Sequence, residues 1–102
     1  MIRQIVEDNW QREVEFLKSL VRVPSDNPPG DCLPHAEAAA LGLEELGFTV
    51  EWHPVPSDLV HQNEMTSATN LIVRKSFGAG KGPIIALNAH GDVVPPGEGW
   101  SV

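Results

Sequence analysis

Basic residues are scarce: 7 Lys and Arg stand against 14 Asp and Glu, giving a formal net charge of −7. A surface that grips nucleic acid needs a surplus of cations to meet phosphates, so the charge argues against nucleic acid as a partner. Cysteine is scarcer still. Cys32 stands alone, and one thiol makes no internal disulfide, which fits a reducing compartment. No apolar run approaches the ~20 residues that a bilayer crossing takes. The first ten residues carry Glu7 and Asp8 where a secretory signal would have an apolar core. The expectation is a cytoplasmic chain with no membrane partner. Internal repeats and low-complexity tracts are missing too. What is present is ordinary globular composition, 41% apolar over 102 residues, enough for one domain at most.

Hydrophobic spacing divides the chain. Ile2, Ile5, Val6, Trp10, Val14, Leu17, Leu20 and Val21 recur at helical intervals, with charged residues mostly between them. They predict an amphipathic helix over about 2–22, ended by Pro24, because the residue before a proline disfavours the helical region. Residues 25–31, with Asn27, Pro28, Pro29 and Gly30, form a loop with almost nothing to bury. Asp31 is the expected N-cap of a second helix, and Pro34 sits in its first turn. That helix runs to Leu46 and stops at Gly47. Its face of Ala36, Ala39, Ala40, Leu43 and Leu46 is small-sided, as suits close approach to a sheet.

Strands are expected over 48–55 and 69–75, with a polar connection between them and a glycine-rich turn over 77–82. Residues 83–89 form an apolar run on both faces and predict a third, central strand. The fold class is therefore α/β, with two helices followed by three strands of a mixed sheet, in a two- or three-layer unit.

The candidate chemistry lies where that third run ends. His90 follows it, Gly91 leaves room for a close approach, and Asp92 falls on the same side of an extended chain. A carboxylate so placed accepts a hydrogen bond from one imidazole nitrogen and leaves the other free for a metal, fixing ring orientation and tautomer. His90 is thus the candidate metal ligand and Asp92 the candidate acid beside it. His35, His53 and His61 have no carboxylate at a comparable spacing in an apolar segment and read as solvated surface. Cys32 reads as inert, and Glu44 and Glu45 as a solvated helix face. Gly78, Gly80 and Gly82 precede an expected strand, whereas phosphate-binding glycines follow a strand and open a helix.

The run from His90 through Gly91, Asp92, Val93, Val94, Pro95, Pro96, Gly97, Glu98 and Gly99 to Trp100 resembles the first metal-binding motif of metallopeptidase family twenty. That group includes acetylornithine deacetylase, succinyl-diaminopimelate desuccinylase, aminoacylase and glutamate carboxypeptidase. Further resemblances occur in the family's order. Leu20 to Ser25 and Asn27 to Gly30 are similar to its first loop, Leu46 to Phe48 to the close of its second helix, and Ala68 to Leu71 to the opening of its second strand.

The resemblance implies that His90 is a zinc ligand and Asp92 the catalytic acid that orients it. It also implies two zinc ions, with cobalt or manganese as substitutes, about 3.5–4 Å apart and sharing a water that attacks an amide. The implied substrates are N-acyl amino acids or small peptides, and the implied parent is a homodimer. Residues 1–102 would then be the incomplete amino-terminal segment of a catalytic domain, without the lid and dimerisation domain. The bridging aspartate, the glutamate base and the remaining ligands would lie elsewhere. With one imidazole where a catalytic zinc takes three protein ligands, the segment alone is expected to be inactive. The competing expectation is a small non-catalytic α/β interaction module that binds a partner through the surface from Val93 to Trp100.

Overall fold

The computed structural model describes residues 1–100. Its elements in chain order are α1 (Ile2–Val21), α2 (Leu33–Glu45), β1 (Val50–Pro54), α3 (Ser57–Gln62) and β2 (Thr69–Val73). The two strands pair antiparallel, with Val50 opposite Val73 and Pro54 opposite Thr69. The α/β class holds. No helix among the described residues is long and apolar enough to cross a membrane.

The first helix ends one residue before the expected boundary. Its apolar stripe is only partly covered: Val14, Phe16 and Leu20 are half-buried, while Trp10 and Leu17 stay exposed. Among the described residues, the buried apolar ones are Ala36 and Ala40 of α2 and Val60 of α3. The small-sided face of α2 is therefore the centre of the core, as its alanine spacing implies. Gly42 belongs to the same packing, because a β-carbon there would lie 2.5 Å from Phe16 Cε2. The helix ends as expected at Gly47, whose φ of +88° an L side chain rarely adopts. The Gly47 amide donates to the Glu44 carbonyl (2.9 Å) and the Phe48 amide to that of Leu43 (3.1 Å). This paired reach-back satisfies two of the carbonyls a helix end leaves open.

The start of α2 departs from expectation. Cys32, not Asp31, is the capping residue, and it makes no side-chain cap. The cap comes from outside the helix: Leu33 N donates to Ser67 Oγ (2.9 Å), and Ser67 Oγ donates to Asp31 Oδ1 (2.6 Å). Asp31 thus acts through a remote serine. The polar connection between the strands also contains a helix, α3, which places Val60 in the core.

The largest correction concerns the third strand. Residues 83–89 carry no strand, and the described sheet has two strands, β1 and β2. Ile84 is 96% exposed and Leu87 95%. A run apolar on both faces signals that burial would be favourable, but a strand also needs an edge to pair with. Among the described residues, residues 83–89 find no such edge and no ladder forms there.

Candidate functional site

His90 is consequently not delivered by a sheet. The segment that carries it is held instead by the loop between α1 and α2. Ser25 Oγ donates to the Gly91 carbonyl at 2.6 Å. Val93 N donates to the Ser25 carbonyl (3.0 Å), and Asn27 N to the Val93 carbonyl (2.7 Å). Asp26 and Val93 form an isolated parallel bridge. Ser25, 4% exposed, is the buried polar residue among those described, and its hydroxyl is satisfied by this contact. The far end of the same loop is clamped by the residues before β2. Thr66 N and Ser67 N both donate to the Gly30 carbonyl (3.1 Å each). Gly30 has φ +72°, and a β-carbon there would lie 2.9 Å from Met65 Cγ.

This frame fixes the geometry of the imidazole. His90 Nδ1 lies 2.9 Å from the Asp92 carbonyl oxygen and 3.1 Å from Asp92 Oδ1. Both neighbours are acceptors, so Nδ1 carries the proton and neutral His90 keeps its lone pair on Nε2. The side chain is 84% exposed, which leaves Nε2 open to solvent or to a cation. Asn27, His90, Asp92, Val93 and Val94 together line an open hollow of ≈ 500 Å³.

Electrostatics follow from the same contacts. The nearby Asn27 side chain, then the His90 imidazole, holds the Asp92 carboxyl below its ordinary pKa. Burial pushes the Cys32 thiol up, with the charges of Asp92 and Asp31 acting in the same direction. A raised thiol is a poor nucleophile, in keeping with the inert reading of Cys32.

Two residues near the site were not singled out in the sequence. Asn27 lines the same hollow as Asp92 from a loop 65 positions upstream in the chain. The available signal was its place in the motif resembling the family's first loop. His35, read as solvated surface, is half-buried and faces Gly91: a β-carbon at Gly91 would lie 2.9 Å from His35 Nδ1. The glycine is what lets the imidazole of His35 approach the backbone between His90 and Asp92. The other histidines are distant in role. His53 is exposed on β1 and pairs with Glu51 (3.4 Å), and His61 is exposed on α3 rather than in a loop. Glu44 and Glu45 are exposed.

Among the described residues, no three of His, Cys, Asp and Glu converge in a group suited to hold a metal ion. The donors present fit one part of such a centre, a single imidazole backed by a carboxylate, the arrangement commonly found behind a metal-bound histidine.

The chain is 33% identical over 87 residues to the succinyl-diaminopimelate desuccinylase of Acidiphilium cryptum (strain JF-5). The alignment takes in 85% of this chain but 19% of that relative's length. At this coarse level the similarity is to a desuccinylase-type hydrolase. No family model matches the chain, and no solved structure matches it.

Proposed function

We propose that this chain is the amino-terminal part of a metal-dependent amidohydrolase acting on N-acyl amino acids or small peptides. The observation that carries the reading is the His90–Asp92 pair, in which Nδ1 lies within hydrogen-bond distance of two acceptors on a side chain that is exposed. The similarity to a desuccinylase over most of the chain supports the same class. In this reading His90 is one zinc ligand, and Asp92 orients its ring and raises its basicity. Cobalt or manganese are alternatives, since an imidazole accepts several divalent ions. When bound, the metal supplies a Lewis acid for the amide carbonyl and lowers the pKa of a water. The remaining ligands and the general base belong to the larger protein, as do the lid domain and a homodimer interface, so the 102-residue chain by itself is inactive.

The test is made on the longer polypeptide. His90→Ala loses bound metal, measured by elemental analysis, and loses amide hydrolysis with it. Asp92→Asn keeps the fold and lowers metal affinity or turnover by about 10- to 100-fold. A His90→Ala protein that retains full metal content and rate would refute the assignment. The competing interaction module draws on the exposure of Val94 and Trp100, but it assigns no purpose to the paired imidazole and carboxylate.

A further inference from the structure

We infer that His35 is a positioning residue for the candidate site: its imidazole ring fills the space that glycine leaves at position 91 and fixes the backbone between His90 and Asp92. The inference rests on the His90–Asp92 pairing described above and adds to it the contact that sets where the pair sits.

Backbone conformation does not account for the glycine at 91. Its φ lies outside the left-handed region, unlike that of Gly30 or Gly47, so no strain of that kind calls for glycine. Space accounts for it. A β-carbon at 91 would lie 2.9 Å from His35 Nδ1 and 3.0 Å from His35 Cε1. The third-nearest atom, at 4.0 Å, is His35 Cγ, so the obstacle is that one ring.

The ring is anchored in the core helix. His35 stands in the first turn of α2 beside the buried Ala36, and its own side chain is half-buried. A second element grips the same glycine, since Ser25 Oγ donates to the Gly91 carbonyl at 2.6 Å. Hydrogen bonds at Gly91 O and at Val93 fix points along the segment, but a glycine can still turn between them. The His35 ring limits that turning from the side where a side chain would project. Both contacts of His90 Nδ1, at 2.9 and 3.1 Å, span residue 91 to reach Asp92, so they persist only while residue 91 keeps its shape.

The ring and an added methyl group compete for one space. With His35 present, Gly91→Ala must push the ring or the segment aside. With His35→Ala the space is free, and the same change restricts chiefly the undocked chain, which favours docking. The effect of one substitution therefore changes sign with the residue at 35.

The experiment is a double-mutant cycle on the 102-residue chain: wild type, Gly91→Ala, His35→Ala and the double variant. Hydrogen exchange at the Val93 and Asn27 amides reads docking. Long-range ¹H–¹⁵N correlation of the His90 nitrogens, at a pH where the ring is neutral, reads the site. Gly91→Ala alone should speed exchange at both amides by about fivefold or more. It should also shift the His90 nitrogens from the Nδ1–H pattern toward the mixed pattern of a free imidazole, and His35→Ala should shift them in the same direction. In the double variant, exchange should be slower than with Gly91→Ala alone and no faster than with His35→Ala alone. A Gly91→Ala change that speeds exchange equally with and without the ring overturns the proposal. So does one that leaves exchange unchanged because the ring swings aside. His90 nitrogens that respond to Asp92→Asn but to neither single variant mark a merely structural contact, which overturns the positioning role and leaves the His90–Asp92 pairing standing. Nitrogens that respond to none of the three overturn the pairing and the positioning role together.

Discussion

Ser25→Ala tests the frame that presents the candidate site. The hydroxyl is buried, and its 2.6 Å bond to the Gly91 carbonyl joins residues 66 positions apart in the chain. Gly91 is exposed, so its carbonyl regains a water partner when the serine is gone, and the loss is that of an ordinary hydrogen bond. Such a bond contributes about 0.5–1.5 kcal/mol, a factor of about 2–13 in the population of the undocked segment. The reporters lie next to the lesion. Val93 N and Asn27 N, bonded at 3.0 and 2.7 Å across the same contact, are protected only while the segment is docked. Native-state hydrogen exchange should therefore speed up at these two amides by that factor. Amides in the middle of α1 should not follow. Equal acceleration throughout the chain would mean that Ser25 supports the whole fold and not this docking. Unchanged exchange at Val93 would mean that the contact contributes nothing, and the account of how His90 is presented would be wrong.

Two further predictions follow from the packing and from the charge of Asp92. Gly42→Ala forces a β-carbon to within 2.5 Å of Phe16 Cε2. The overpacking cost of about 1–3 kcal/mol exceeds the gain of up to about 1 kcal/mol from better helix propensity, so thermal unfolding should show a lower Tm. A raised Tm would mean that the α1–α2 contact yields without cost. Docking of the 91–93 segment should also depend on pH in a defined sense. Asn27 and His90 hold the Asp92 carboxyl below its ordinary pKa, so the undocked form takes up the proton first as pH falls. The stabilisation is complete above the ordinary carboxylate range and is lost as pH drops through the lowered value. Val93 amide protection followed down an acid titration should fade in that window, and Asp92→Asn should abolish the dependence.

The elements with strong local signals were legible in the sequence. The spacing from Ile2 to Val21 fixes α1 almost to its last residue, and Gly47 marks the end of α2 because only a residue tolerant of positive φ fits there. The residues His90 and Asp92 were singled out by their spacing and by resemblance. What presents them was not legible. An apolar run at 83–89 states a preference for burial, and strand pairing depends on partners that no local pattern names. The cap of α2 was misread for a similar reason, since Ser67 is 34 positions from the amide it accepts from. His35 was read as solvated surface, and Asn27 only as part of a loop motif, because their neighbours at 91 and 93 are remote in sequence.

The loop at 25–31 has one consequence beyond holding a segment still. Its early residues grip one distant stretch of chain and its glycine grips another, so two regions without a bond between them share seven residues of backbone. Met65, against which Gly30 sits, thus packs on the same loop that holds the segment from Gly91 to Val93. One loop therefore anchors both the approach to β2 and the stretch that carries the candidate site.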